Sequence, residues 1–186
     1  MPVEGHTRRL LLKPLELTDA DRIQELFPHW EIVRYLVKQV PWPYPPDGAL
    51  KFLRESALPA VESGEAWHWS IRLRTEPAIM IGSISLMKGD SDNRGFWLGL
   101  PWQGCGYISE ACIWANDFWF DTLGFPILRV PKAAANVASR RISEKLGMRV
   151  VGSGKKDYVS GRLPFELWEI TADEWHAWKS RTSRPD

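Results

Sequence analysis

Three apolar segments in the middle of the chain place the strongest constraint on its fold. In the first, WHWSIRLR at 67–74, tryptophan and aliphatic residues alternate with polar ones, which is the period of a half-buried β-strand. The segments IMIGSISLM at 79–87 and GFWLGL at 95–100 follow after short polar connections. The sequence therefore predicts three successive strands within one β-sheet.

Segments with helical spacing flank these strands. Thr18 is predicted to cap a helix that runs to about Phe27, and Thr171 forms a capping box with Glu174 before the last helix. The other predicted elements are helices at 31–37, 49–62, 107–123 and 136–146 and strands at 8–17, 127–131, 148–155 and 163–170. Between them, the prolines of PWPYPPDG at 41–48 predict a stiff aromatic loop. The order β-α-α-β-β-β-α-β-α-β-β-α is typical of a mixed α/β sheet with helices packed on it.

Composition and charge limit the classes of protein that the chain represents. Its 186 residues, 44% hydrophobic and 25% charged, fit a single packed domain covering residues 1–186. The 24 basic residues are balanced by 23 acidic ones, which argues against nucleic acid as the main partner. The sequence shows no apolar run of membrane-spanning length and no secretory signal, and Cys105 and Cys112 lack metal-type spacing. We therefore expect a cytoplasmic protein with reduced thiols and no membrane partner.

Two glycines stand directly before the predicted helix at 107–123. Gly104 and Gly106 connect the strand at 95–100 to that helix, whose first N–H groups have no partner within the helix. Such a helix start attracts phosphate, and glycines let the phosphate approach bare backbone. The alternative is that the glycines only supply positive φ in a tight connection. The turn is neither a P-loop, since no Lys-Ser/Thr pair follows, nor a dinucleotide fingerprint, since a third glycine is missing.

Two motifs resemble signatures of the GNAT superfamily of N-acetyltransferases. WQGCGYISEA, 102–111, is similar to the acyl-CoA pyrophosphate loop Gln/Arg-x-x-Gly-x-Gly/Ala, with Gln103 and Gly106 matching and Ile108 in place of the last small residue. NVASRRISEKLGMRVVG, 136–152, resembles the Asn-x-x-Ser and Glu-Lys-Leu-Gly-aromatic signature of one branch, with Met148 in place of the aromatic residue. That branch contains the ribosomal-protein N-terminal alanine and serine acetyltransferases. The motifs lie about 30 residues apart and in the family's order.

The resemblance implies a fold and a place for the cofactor. The expected fold is a mostly antiparallel, twisted sheet of about seven strands with helices on both faces and a V-shaped splay between strands 4 and 5, here 95–100 and 127–131. The pantetheine arm of acetyl-CoA inserts into the splay and pairs with strand backbone. The amides around Leu98 and Leu100 then bond the arm and polarise the thioester. In the alternative interpretation 95–100 is an ordinary buried strand, and both interpretations hold together because only the backbone is used.

The resemblance also assigns cofactor contacts residue by residue. Asn136 would contact the pantetheine or the far end of the cofactor, the alternative being a helix N-cap. No metal is called for. Ser109 lies near the helix start. The diphosphate is expected to be held by the N–H groups of Gln103, Gly104, Cys105, Gly106, Tyr107 and Ile108.

The acid and base are less well defined by the resemblance. Many family members use a tyrosine as general acid at the position of Ser143, so Ser139 of the Asn-x-x-Ser motif is the expected catalytic substitute and a cofactor contact. The alternative is a helix serine that bonds back to a carbonyl. For the general base, His68 is the first candidate, and a water chain is an alternative to a single side chain. Weaker candidates are His29, Glu31, Asp157 and Tyr158, the last standing where the ribosomal branch uses glutamate.

These features together predict an acetyl-CoA-dependent N-acetyltransferase. A primary amine, either a protein N-terminus or a small molecule, is expected to attack the thioester directly in a ternary complex. Trp30, Trp42 and Tyr44 are expected to line the acceptor side, or else to be ordinary packing. The alternatives from other classes are a non-catalytic acyl-CoA sensor, supported by Ser143, and an interaction domain that uses some of the 11 tryptophans. Exposed aromatics and edge strands are compatible with a homodimer.

Overall fold

A five-stranded antiparallel sheet forms the first half of the fold. The computed structural model describes residues 3–182. The strands lie side by side in chain order: β1 Gly5–His6, β2 Leu10–Pro14, β3 Ala66–Leu73, β4 Glu76–Met87 and β5 Arg94–Leu98. The three predicted central strands are confirmed. The predicted first strand at 8–17 is shorter than expected, and a two-residue strand that was not predicted pairs with its outer edge.

A second, three-stranded sheet completes the fold, so that eight strands replace the expected seven or so. It consists of β6 Ile127–Ala133, β7 Arg149–Tyr158 and β8 Gly161–Thr171, with β8 in the middle and both pairs antiparallel. The sheets meet at β5 and β6, where the Asn93 N–H donates to the Arg129 carbonyl and the Arg129 N–H donates to Asn93 Oδ1, both at 2.8 Å. Past this join β5 and β6 are not paired. This is the parted pair of strands that was expected.

Short helices cover one face of the five-stranded sheet. They are α1 Ala20–Leu26, α2 Trp30–Val33, α3 Gly48–Phe52 and α4 Leu58–Glu62, and a π-helical turn Leu53–Ala57 joins α3 to α4. The predicted helix at 49–62 is therefore confirmed with a defect, since Pro59 has no N–H to donate to the carbonyl one turn earlier. The apolar residues buried beneath these helices include Leu15, Ile23, Phe27, Val33, Leu53 and Met80.

The predicted cap at Thr18 is wrong. The chain enters α1 through a 3-10 turn, Leu17–Asp19, and the Asp19 carboxylate accepts the Glu16 N–H at 3.0 Å. The Thr18 hydroxyl instead donates to the Glu16 carboxylate at 3.4 Å. Glu16 is the N-cap of this turn, and Asp19 completes the capping box because its carboxylate is held in the interior, where Oδ1 lies 2.5 Å from Arg72 Nη2.

Longer helices cover the opposite face. They are α5 Tyr107–Asp117, α6 Val137–Lys145 and α7 Ala172–Thr182, and they pack over the larger of the two cores, which contains Trp69, Trp119, Trp168 and Trp175. The predicted capping box of the last helix is confirmed: the Thr171 N–H donates to Glu174 at 2.8 Å and the Glu174 N–H donates to Thr171 Oγ1 at 3.2 Å. Within residues 3–182, no helix is both long and apolar enough to cross a membrane.

Helices on both faces change the interpretation of β3. Its polar residues were interpreted as one side of a half-buried strand, yet His68, Ser70 and Arg72 are buried as well. The Ser70 hydroxyl donates to the Lys13 carbonyl at 3.1 Å, and Arg72 pairs with Asp19. The second face is therefore a polar layer under α1–α4 and not a solvent face.

Candidate active site

The glycine turn forms an open helix start at the end of β5. Gly104 and Gly106 have φ values of 77° and 79°, the left-handed region that favours glycine. A Cβ built on Gly104 has no heavy atom within 4 Å. Within residues 3–182, the backbone N–H groups of residues 104–109 donate to no protein acceptor, and the Gly106 N-cap of α5 has no side-chain hydrogen bond. The turn therefore exposes a row of free N–H groups. The alternative interpretation, that the two glycines supply positive φ in a tight connection, also holds.

Gln103 fastens this turn to the strand. Its side-chain Nε2 donates to the Leu98 carbonyl at 2.9 Å, and its backbone N–H donates to the Leu100 carbonyl at 3.3 Å. Leu98 is the last residue of β5 and its side chain is in the core, whereas Leu100 is partly exposed in a 3-10 turn beyond the strand. Gln103 thus positions the glycine turn. Its own backbone N–H already donates to Leu100, so it is not one of the free N–H groups of residues 104–109.

Arg9, in the connection between β1 and β2, lies beside the glycine turn. Sequence patterns did not indicate this contact. Its Nη1 donates to the Cys105 carbonyl at 3.0 Å, its Nε pairs with Glu110 at 2.7 Å, and its guanidinium lies 4.6 Å from the Tyr107 ring centroid. Burial acts to raise the pKa of Glu110, but hydrogen bonds from Thr7 and Arg9 outweigh it and lower that pKa overall. Glu110 stays charged and holds Arg9 in place. The contact spans about one hundred residues of sequence, so no local pattern indicates it.

The second signature begins at the end of β6. Asn136 is the N-cap of α6, with its Oδ1 accepting the Ser139 N–H at 3.2 Å. Ser139 does not bond back to a helix carbonyl; its Oγ lies 2.5 Å from Nζ of Lys132. Lys132 is only 7% exposed, and its Nζ sits 5.0 Å from the centroid of Phe96 on β5. Burial, followed by repulsion from Arg94, lowers the pKa of Lys132 to about 7.

Buried polar groups continue from Lys132 toward α5. Arg94 Nη1 donates to Asn116 Oδ1 at 2.5 Å, and Nη2 lies 3.6 Å from the Met148 sulfur. This contact explains why methionine suits the position where the family signature has an aromatic residue, since a thioether accepts a hydrogen bond. Ser143, at the position of the family's tyrosine, is fully buried, and its Oγ has no partner within the described residues. Its short side chain does not replace the tyrosine hydroxyl, which leaves Ser139 as the hydroxyl at the α6 start.

His68 lies away from these groups. It is buried between β3 and β4, with Nδ1 2.6 Å from Ser85 Oγ and its ring edge-on to Phe52 of α3 at 6.0 Å. Burial lowers the pKa of His68 to about 4, so the ring is neutral at pH 7. The structure therefore does not bring His68 together with Ser139. The other early candidates are dispersed too: His29 precedes α2, and Glu31 is exposed on it.

A groove joins the aromatic loop to the β7–β8 hairpin. It measures about 370 Å³ and is lined by Lys38, Val40, Pro41, Trp42, Asp157, Tyr158, Val159, Gly161 and Arg162. Trp30 and Trp42 are each 41% exposed and pack together at 5.7 Å, while Tyr44 packs edge-on against Phe27. The predicted aromatic wall is thus two exposed tryptophans, with Tyr44 largely packed inside.

Asp92 is a further carboxylate that sequence patterns did not indicate. It precedes β5 at the joined end of the V, and its carboxylate lies 3.3 Å from Lys156 Nζ. Burial raises the pKa of Asp92. Burial, with Asp92 as the second cause, also raises the pKa of the Tyr158 phenol to about 12. Asp92 and Tyr158, which both have raised pKa values, therefore lie between β5 and the β7–β8 hairpin.

Comparison with known proteins agrees with this geometry. The model of the Acetyltransferase (GNAT) domain matches residues 9–149. The uncharacterized N-acetyltransferase YnaD of Bacillus subtilis is 26% identical over 181 residues, covering 91% of this chain and 98% of the relative.

Two solved structures share the fold. The ribosomal-protein-S5-alanine acetyltransferase of Vibrio fischeri has a TM-score of 0.77 at 18% identity over 93% of this chain and 98% of that one. RimL, the ribosomal L7/L12 alpha-N-protein acetyltransferase, solved in complex with coenzyme A, has a TM-score of 0.77 at 15% identity over 91% and 98%. The predicted resemblance is confirmed: this chain is an acyltransferase that belongs to the GNAT acetyltransferase family.

Proposed function

We propose that this protein transfers an acetyl group from acetyl-CoA to a primary amine, by direct attack of the amine on the thioester in a ternary complex. The observation that carries the proposal is the row of free N–H groups at residues 104–109, placed where β5 and β6 part. Family membership supports the transferase class. RimL, with the same fold, was solved with coenzyme A.

The residues at the glycine turn fit a diphosphate. N–H groups at a helix start, combined with the partial positive charge of α5, bind anions, and glycine leaves room for close approach. In this proposal Gly104, Cys105, Gly106, Tyr107 and Ile108 supply the N–H groups, as does Ser109 of the first turn. Arg9 adds a fixed positive charge at the rim, since only its Nε and Nη1 are engaged. Gln103 holds the turn in place through Leu98.

The parted strands fit the rest of the cofactor. The edge of β5 that faces away from β4, ending at Leu98, would pair with the pantetheine arm as an added strand does, and an N–H there or in the turn at Leu100 would polarise the thioester carbonyl. Acetyl-CoA supplies an activated acetyl group to the reaction. Asn136 uses Oδ1 for its capping bond, so its Nδ2 is the group that remains for the cofactor. Ser139 would donate a proton to the departing sulfur.

The amine would enter from the groove beside the aromatic loop. Trp42, Tyr158 and Asp157 line that groove, and Lys38 and Arg162 stand at its rim. Because both signs of charge are present, the groove suits an acceptor that carries a carboxylate or other acidic groups besides its amine. A peptide N-terminus followed by aspartate or glutamate meets that description. Relatives named as ribosomal-protein acetyltransferases support testing such peptides first.

Calorimetric titration with acetyl-CoA, followed by measurement of coenzyme A release, tests the proposal. The acceptor panel comprises peptides that begin with alanine or serine, free amino acids, polyamines and aminoglycosides. We expect saturable acetyl-CoA binding and turnover with at least one of these amines. Absence of acetyl-CoA binding would contradict the proposal, and tight binding without turnover on the whole panel would support a non-catalytic acyl-CoA sensor instead.

A further inference from the structure

Lys132 is a buried cation whose surroundings do not include a paired carboxylate. It lies on β6 facing the helices, where Arg94 of β5 and Cys112 of α5 are the titratable neighbours, and Phe96 covers it. Asp92 is the carboxylate that acts on it electrostatically, but Asp92 is paired with Lys156. Within residues 3–182, no acidic group lies within ion-pair distance of Lys132. A lysine is rarely buried without such a partner, so a role beyond stability is indicated.

The hydrogen-bond partner of Lys132 is the hydroxyl of Ser139. Lys132 Nζ lies 2.5 Å from Ser139 Oγ, within hydrogen-bond distance, and in this bond the ammonium donates and Ser139 Oγ accepts. A hydroxyl that accepts from Lys132 must turn its own O–H elsewhere. The Ser139 N–H is fixed by the Asn136 cap, so the hydroxyl is held at the first turn of α6. Lys132 and Asn136 together hold the Ser139 hydroxyl in place, and its own hydrogen is left to donate to another acceptor.

We propose that Lys132 is the positioning residue of a proton relay, in which it supplies a proton through Ser139 to the sulfur of coenzyme A as that sulfur leaves the acetyl group. This inference rests on the proposed acetyl transfer. A serine hydroxyl alone is a poor acid, because donating its proton would leave an alkoxide in the interior. The adjacent ammonium removes that difficulty, since Ser139 receives a proton as it gives one.

The relay balances without a further reactant. The amine nitrogen forms a bond to the thioester carbonyl carbon, and the carbon–sulfur bond breaks with its electron pair going to sulfur. Sulfur takes the Ser139 proton, and Ser139 Oγ takes one from Lys132, which becomes a neutral amine. The acylated nitrogen loses one proton to solvent, and Lys132 regains one from solvent. The lowered pKa of Lys132, near 7, suits a group that must give and regain a proton at neutral pH.

A different use of the same pair would be nucleophilic. Neutral Lys132 would then remove the Ser139 proton, and Ser139 would carry the acetyl group as an ester before the amine arrives. The two schemes differ in an observable way. The relay leaves no acetyl group on Ser139 when amine is withheld, whereas the nucleophilic scheme accumulates an acetylated serine.

Four variants and two measurements test the relay. Lys132→Met and Ser139→Ala remove its members singly, and the double variant removes both. The control, Lys145→Met, changes an exposed lysine on α6, the helix that carries Ser139. We expect each single change to lower kcat by about 100-fold, with acetyl-CoA affinity altered less than about threefold. The double variant should lose no more than either single one, because the two residues act as a unit. Lys145→Met should match the wild type.

The pH profile separates a relay from a structural role. In the wild type kcat should fall as Lys132 deprotonates above about pH 7, and this falling limb should be absent from Lys132→Met. Ser139→Ala keeps Lys132 yet should lose the same limb, which keeps the test decisive if Lys132→Met does not fold. Additive losses, an unchanged limb, or acetyl-Ser139 detected by mass spectrometry without amine would overturn the relay alone. Wild-type protein that binds no acetyl-CoA would overturn the proposed function, and the relay with it.

Discussion

Gly104 and Gly124 offer a matched pair for testing the diphosphate loop. Their φ values are 77° and 72°, and a Cβ built on either has no heavy atom within 4 Å. Alanine at each position therefore meets the same backbone strain, about 1–2 kcal/mol, and no clash. Both variants should consequently lose similar stability, about 2–8 °C in Tm. The two sites differ in location, since Gly104 adjoins the free N–H groups and Gly124 ends the helix far from them.

Acetyl-CoA binding should distinguish the two variants. A methyl group at Gly104 occupies the open space beside the N–H row or drives the turn out of its left-handed conformation. We expect the Kd to rise at least tenfold, which is about 1.4 kcal/mol. Gly124→Ala should keep the wild-type Kd, because Gly124 follows the π-helical turn Phe118–Thr122 beyond α5, which plays no part in the proposed site.

Thermal melts with and without acetyl-CoA measure both effects in one experiment. At a ligand concentration of about 100 times the wild-type Kd, binding stabilises the wild type and Gly124→Ala by about 2.7 kcal/mol. A tenfold weaker Kd reduces this to about 1.4 kcal/mol for Gly104→Ala. The ligand-induced rise in Tm should therefore be about half as large in Gly104→Ala. An equal rise in both variants would refute the placement of the diphosphate at this turn.

Three further perturbations follow from the structure. Arg9→Met should weaken acetyl-CoA binding by about tenfold and reduce its salt dependence, measured by titration at two ionic strengths, while Arg8→Met, an exposed neighbour, should not. Burial lowers the pKa of His68 from 6.5 to about 4, so between these pH values the unfolded chain binds a proton that the folded chain excludes. The free energy of unfolding should therefore fall by about 3 kcal/mol from pH 6.5 to pH 4. In urea unfolding, His68→Gln should reduce this dependence on pH. Asp19→Asn breaks a buried ion pair and should cost about 3–5 kcal/mol of unfolding free energy, whereas Asp47→Asn, in an exposed pair, should leave the melting temperature unchanged.

The sequence predicted the elements whose signals are local. Period-two alternation located β3, and turn glycines located the start of α5 and the end of α6, because side-chain spacing and positive φ are properties of a few neighbouring residues; the predicted helix at 107–123 is α-helical only to Asp117 and continues as a π-helical turn, Phe118–Thr122. Thr18 was assigned the wrong role because a capping box of Glu16 and Asp19 forms around it. That box depends on Arg72, which lies far along the chain and holds Asp19 inside.

The site was predictable only as far as its backbone. The two motifs indicated the glycine turn and the start of α6, but the side chains that complete them come from other strands. Arg9 reaches the turn because β2 lies beside α5, and Lys132 reaches Ser139 because β6 leads into α6. A single lysine at the end of a short apolar strand is usually solvated, so its burial depends on Phe96 and the covering helices. Such contacts depend on tertiary packing, which local patterns do not encode.

The arrangement of β5 and β6 explains how a nearly neutral chain can hold a highly charged ligand. The strands are joined near their amino ends by Asn93 and Arg129, so both carboxyl ends lie on the far, parted side. α5 follows one of these ends and α6 the other, which brings two positive helix ends to the same edge. Arg9 adds a cation there, although the formal net charge of the chain is only +1. In the proposed site, anion affinity would arise from the convergence of these groups, so it should respond to changes at the glycine turn and at Arg9 and hardly at all to charges placed elsewhere on the surface.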